Sequence, residues 1–150
     1  MPQSLSCVFI HLVFSTKNRQ RFISAGVEVE LHAYLGGVLE NYECQPVRIG
    51  GVDDHVHLLF LLGRKIALCD LVEELKKSSS KWIKTKSPRL ASFAWQAGYG
   101  VFSVSKSNVG AARQYIENQR QRHARQTFQD EFRELLKRYE VPFDEMYLWD

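Results

Sequence analysis

An α+β fold, an antiparallel sheet covered by helices, is what this chain of 150 residues predicts. Three observations carry that expectation. Apolar side chains alternate with a period of two in several short runs, the mark of strands, and recur at three- and four-residue spacing in longer runs, the mark of amphipathic helices. The two kinds of run follow one another as β-α-β-β-α-β-α-α, and only a short turn joins the second and third strands.

Residues 5–14, "LSCVFIHLVF", form the first strand, with Val8, Ile10, Leu12 and Phe14 on one face and Cys7, Phe9, His11 and Val13 on the other. "STKNRQRF" follows as a basic loop. Residues 27–42 place Val27, Leu31, Tyr34, Leu35, Val38 and Tyr42 at helical spacing, with Gly36 and Gly37 weakening the middle. "PVRIGG" is the second strand, and "VDD" turns the chain into the third, a β-hairpin. Residues 68–84 make a second helix, with Leu68, Leu71, Val72, Leu75, Ser79 and Trp82 inward and Lys76, Lys77, Lys81 and Lys84 outward. "KSPRLASFAWQAGYG" is an aromatic loop and "VFSVS" the fourth strand. A third helix spans about Asn108 to Arg125. Thr127 then opens a fourth, with Asp130 at the capping-box position and Phe128, Phe132, Leu135, Leu136 and Tyr139 on its apolar stripe. The first six elements are the split βαβ, ferredoxin-like arrangement, with two additional C-terminal helices. The length fits one domain over residues 1–150.

Composition excludes some classes. A 45% hydrophobic and 25% charged chain is an ordinary globular protein, and its longest apolar run, Val56 to Leu62, is too short for a membrane span. The N-terminus lacks the regions of a signal peptide. Cys7, Cys44 and Cys69 are widely spaced and odd in number, which suits reduced thiols in a cytoplasm. Residues 1–127 hold 17 Lys and Arg against 10 Asp and Glu, whereas residues 128–150 hold 3 against 7. A basic body with an acidic end suits a polyanionic partner met by the body.

The candidate chemistry begins at "GGVDDHVHLLF". On a strand, His55 and His57 share the face opposite Val56, Leu58, Phe60 and Leu62. Neutral imidazole is the commonest protein metal ligand, and a shared ion reconciles two adjacent histidines in apolar surroundings; two hydrogen-bonded histidines in a hairpin are the alternative. Asp53 and Asp54 either help hold such an ion or shape the turn, and His11 reaches the same face. In the third helix, "ARQYIENQRQRHARQ", Tyr115 and Gln119 are four apart on one face. That helix follows the fourth strand, so it can cross the face left open by the first two helices, where the histidines stand.

Taken together, "DDHVHLLF", "FAWQAGYGVFSVS" and "YIENQ" resemble the single-tyrosine HUH transposases of bacterial insertion sequences, including those associated with repetitive extragenic palindromes. His55-Val56-His57 matches the histidine–bulky–histidine signature, and the similarity runs from "HLVFSTKNRQRF" to "FQDEFRELLKRY". The resemblance implies that His55, His57 and Gln119 hold Mg²⁺ or Mn²⁺ and that Tyr115 is the nucleophile. It implies nicking and rejoining of single-stranded DNA at hairpin-flanked ends through a 5′-phosphotyrosine intermediate. It also implies a homodimer in which the tyrosine helix of one subunit can complete the histidine site of the other, the small "KSNVGAAR" entry with Gly110 allowing such a swing. Phe93, Trp95 and Tyr99 are candidates to stack on unpaired bases, and Lys17, Arg19, Arg21, Arg120 and Arg122 to hold phosphates. His32 and His123 receive no role. Two other classes compete: a non-catalytic nucleic-acid-binding module of this fold, and a metal-dependent phosphodiesterase that uses water.

Overall fold

A computed structural model describes residues 2–150. The first strand, β1 (Phe9–Ser15), is followed by a single 3-10 turn at Lys17–Arg19 and helix α1 (Ala25–Asn41). The hairpin is β2 (Gln45–Val52) and β3 (His55–Leu61); then come α2 (Leu68–Ile83), β4 (Gly100–Val104), α3 (Val109–Glu117), α4 (Gln119–His123) and α5 (Phe128–Arg138). All pairings are antiparallel and the order across the four-stranded sheet is β2-β3-β1-β4. The two central strands are therefore the two most apolar runs of the chain. β1 starts later than the alternation suggests, although the Val8 carbonyl still accepts from the Leu62 amide at 2.8 Å.

The period-two pattern sorts side chains onto two faces. Ile10, Leu12, Phe14, Val56, Leu58 and Phe60 point into the main core, which α1 and α2 cover with Leu31, Leu35, Leu39, Leu71 and Leu75. On the opposite face Val13 and Phe102 meet Phe128, Phe132, Leu135 and Leu136 of α5. Thr127 caps that helix as expected, its hydroxyl oxygen accepting from the Asp130 amide at 3.2 Å. Burying these apolar side chains stabilises each layer by roughly 1.5–3 kcal/mol per residue.

Two findings depart from the sequence expectation. The third helix is not continuous: Asn118, at φ −93° and ψ 18°, separates α3 from α4, and the break leaves Gln119 turned into the protein. Asparagine is a weak helix former because its side chain competes for backbone hydrogen bonds. In the aromatic loop Phe93 and Trp95 turn inward, whereas Tyr99 remains exposed. Phe93 and Trp95 are edge-on to one another, Trp95 is edge-on to Phe14, and the indole N–H donates to Ser79 Oγ at 2.9 Å. Trp95 is largely buried, at 8% exposure, which leaves little of its ring for a base. Lys76 ties this loop down by donating to the carbonyls of Gln96, Ala97 and Gly98. Tyr99 lies against the Lys76 ammonium, on the α2 side of the sheet and away from the histidines. Among the described residues no helix is long and apolar enough to cross a membrane.

Candidate active site

Two glycines set how closely the second layer approaches the sheet. A Cβ on Gly50 would lie 2.7 Å from Ile116 Cγ2 and 2.8 Å from the Ile116 carbonyl oxygen, so only glycine lets α3 descend onto β2. A Cβ on Gly100 would overlap the Phe132 ring, so the same holds for α5 over β4. Tyr115, beside Ile116, and Glu131, beside Phe132, are thereby brought over His55 and His57.

The resulting cluster is buried. His55, His57 and Glu131 are each 0% exposed and Gln119 is 1%. One carboxylate oxygen of Glu131, Oε1, lies 3.1 Å from His57 Nε2, 3.4 Å from His55 Nε2 and 3.0 Å from His123 Nε2. The other, Oε2, accepts from Gln119 Nε2 at 2.9 Å and from the Tyr115 hydroxyl. Gln119 Oε1 sits 2.9 Å from His55 Nε2 and 3.0 Å from His123 Nε2. Arg122 lays its guanidinium over the Tyr115 ring, 4.4 Å from the centroid, with Nε 3.8 Å from Glu131 Oε2. Behind the histidines, His55 Nδ1 donates to Asp54 Oδ1 at 2.7 Å, and His57 Nδ1 shares a hydrogen bond with His11 Nε2 at 2.8 Å.

Electrostatics follow from this crowding. Burial alone would lower the His55 pKa, but its hydrogen bonds to Asp54 and Glu131 outweigh that and raise it to about 9. Burial keeps His57 below its ordinary value against the pull of Glu131, and holds His11 down at about 3, with His57 adding to the effect. Burial and the adjacent Glu131 charge push the Tyr115 phenol well above the usual tyrosine range. Burial would raise Glu131, yet the three surrounding imidazoles hold its carboxyl far below the usual carboxylate range.

The structure thus brings together four residues expected from the sequence: Tyr115, His55, His57 and Gln119. Asp54 is a hydrogen-bond acceptor for His55, and its carbonyl oxygen accepts from the Thr16 amide in the turn. Of the basic candidates, Arg122 reaches the site, while Arg19 and Arg21 line an adjoining cleft of about 440 Å³ with Asp53, His123 and Arg125. Lys17 is exposed on the 3-10 turn. Arg120 points elsewhere, paired with Glu28 of α1. A second cleft, about 530 Å³, opens beside Tyr115 between β4, α3 and α5, lined by Tyr115, His11, Ser103, Asn108, Arg138 and Tyr139.

Glu131 and His123 were missed. A signal for Glu131 did exist: it falls within the stripe Phe128, Phe132 and Leu135, and a carboxylate on the buried face of a helix needs cationic or donor partners. His55, His57 and Glu131 each offer a ligand atom within 4.8 Å of the others. Cis ligands of an octahedral ion with bonds of 2.0–2.1 Å stand about 2.9–3.0 Å apart, close to several of the spacings found here. The donor set fits a divalent cation.

Residues 4–119 match the model of the IS200-like transposases. The chain belongs to that family. The ISDra2 transposase TnpA of Deinococcus radiodurans is 25% identical over 114 residues, covering 73% of this chain and 81% of that protein. The crystal structure of a Deinococcus radiodurans R1 protein classed as a transposase superposes with a TM-score of 0.62 at 26% identity, over 79% of this chain and 98% of that one. A tyrosine transposase solved with a hairpin of the repetitive extragenic palindromes gives the same TM-score, 0.62, at 13% identity, covering 82% of this chain and 72% of its own; that likeness concerns the fold. The resemblance to single-tyrosine HUH transposases is borne out, as is the α+β architecture. The family match ends at Gln119, so α5 and Glu131 lie beyond it.

Proposed function

We propose that this IS200-like transposase nicks and rejoins single-stranded DNA next to a hairpin, with Tyr115 as nucleophile. The observation that supports it most directly is the Tyr115 hydroxyl on the same carboxylate that faces both histidines of the HUH signature. His55, His57 and Glu131, with Gln119 beside them, are the residues that would hold a divalent ion. When bound there, the ion neutralises charge on the scissile phosphate and makes phosphorus more electrophilic.

The remaining chemistry belongs to the chain. The Tyr115 oxygen bonds to phosphorus as the bond to the 3′ oxygen breaks; DNA stays attached through its 5′ phosphate and a 3′ hydroxyl departs. Glu131 Oε2 accepts the hydrogen bond of the phenol and orients it, and the phenol's proton is balanced by the one taken up by the departing 3′ oxygen. The phosphotyrosine keeps the bond energy, so a 3′ hydroxyl can reverse the step and reseal the strand without ATP; water acting directly would forfeit this. Arg122, over the ring, favours the developing phenolate and a neighbouring phosphate. The strand's path is drawn from two clefts, one lined by Tyr115 with Arg138 and one beside His123 with Arg19, Arg21 and Arg125.

Hairpin recognition is proposed from the resemblance and from the relative solved with such a hairpin. A homodimer is proposed from the resemblance alone, with β4, an edge strand, as the pairing edge, and a cytoplasmic location from the three widely spaced cysteines. A site contained within one chain is proposed because α3 packs on its own β2 through Gly50 and Ile116.

The test is a labelled hairpin oligonucleotide with Mn²⁺. A covalent protein–DNA adduct is expected with the wild-type chain and none with Tyr115→Phe, which removes one oxygen and should leave DNA affinity intact. Cleavage without an adduct would favour the water-using phosphodiesterase, and binding without cleavage the non-catalytic module.

A further inference from the structure

His123 lies beyond the stretch that defines the family, yet its ring stands 4.4 Å from that of His55, centroid to centroid. Its Nδ1 is 2.8 Å from the Gln126 carbonyl oxygen. A backbone carbonyl can only accept, so Nδ1 donates to it and Nε2 is the nitrogen turned inward. There Nε2 meets two more acceptors, Gln119 Oε1 at 3.0 Å and Glu131 Oε1 at 3.0 Å. Gln119 cannot relieve this by turning its amide around without losing the bond from its Nε2 to Glu131 Oε2 at 2.9 Å.

His55 repeats the arrangement: Nδ1 donates to Asp54, and Nε2 faces the same two oxygens. His57, with His11 behind Nδ1, directs Nε2 to Glu131 Oε1. Three imidazoles thus have their outer nitrogens anchored, by a carboxylate, an imidazole and a backbone carbonyl, while their inner nitrogens converge on one carboxylate oxygen. Anchoring the outer N–H is how proteins hold metal-binding histidines in a fixed tautomer and orientation. Carboxylate and amide oxygens gathered in a buried volume call for positive charge among them, which a bound cation supplies once the inner nitrogens give up their hydrogens.

We propose that His123 is a metal ligand, so that three imidazoles rather than two hold the ion, with Glu131 and Gln119 supplying oxygen. This rests on the proposed metal-dependent function and deepens it. α4 is the short piece created by the break at Asn118, and on this reading the break serves to bring His123 Nε2 to the ion. A nitrogen-rich set favours Mn²⁺, Co²⁺ or Zn²⁺ over Mg²⁺, which takes oxygen ligands and gives up its waters reluctantly.

The wild-type chain labelled with ¹⁵N-histidine and titrated with diamagnetic Zn²⁺ decides the question by imidazole NMR. Metal-bound Nε2 signals are expected from His55, His57 and His123 together, all with the hydrogen on Nδ1. Signals from His55 and His57 with His123 unmoved would overturn the third imidazole and leave the metal reading intact. No movement in any of the three would overturn both. As a second measurement, His123→Ala should weaken Mn²⁺ binding by calorimetry at least tenfold, and an unchanged affinity in the folded variant would also overturn the proposal; His57→Ala serves as the control for the site as a whole. The NMR arm uses the intact protein, so a variant that fails to fold does not remove the test.

Discussion

Tyr115 donates its hydroxyl hydrogen to Glu131, 16 positions further along the chain and on a different helix. The same carboxylate faces His55, His57 and His123 through its other oxygen. One side chain therefore links the expected nucleophile to the expected metal donors, and substitutions there should affect both.

Glu131→Gln keeps the shape but removes the charge. Mn²⁺ affinity should fall at least about tenfold, as for other disturbed metal sites. Adduct formation on a hairpin oligonucleotide should fall at limiting Mn²⁺ and recover at excess. An unchanged Mn²⁺ titration midpoint would remove Glu131 from the ligand set.

The His55 pKa of about 9 sets a pH dependence. Metal needs a bare Nε2, so affinity should rise about tenfold per pH unit below that value, with protons released on binding. Without metal the sign reverses for folding. A raised folded pKa gives stability that is fully present below about 6.5 and is lost as pH climbs through about 9. Melting temperatures between pH 6 and 8 in EDTA should therefore decline relative to those in Mn²⁺. Parallel curves would show that His55 does not couple the two.

Gly50→Ala would force its methyl against the Ile116 backbone and lift α3. Overpacking of this kind costs roughly 1–3 kcal/mol. Adduct yield should drop further than the stability loss accounts for, because Tyr115 is the neighbour of Ile116. A urea midpoint and activity both equal to wild type would show that the close approach is not needed.

Mixing His57→Ala chains with Tyr115→Phe chains separates self-contained from shared sites. Tyr115 rests 5.7 Å, ring to ring, from His57 of its own chain, so the mixture should stay inactive. Recovered activity after subunit exchange would show that the tyrosine helix crosses to a partner.

Most of the sheet and both inner helices were legible in the sequence, because two-residue and three-to-four-residue periods report which face of an element is buried, whatever it packs against. The same logic placed His55 and His57 on one side of β3 and Tyr115 on a helix able to reach them. Local pattern could not settle what depends on approach. That Trp95 packs into the core follows from its contacts with Phe14 and Ser79, both distant in sequence. That Glu131 and His123 join the site depends on the break at Asn118 and on the missing side chains at Gly50 and Gly100, which let two helices settle onto the sheet. Periodicity reports burial; only the packed structure decides which buried polar groups meet, since their partners are chosen by distances of 3 Å that no spacing along the chain encodes.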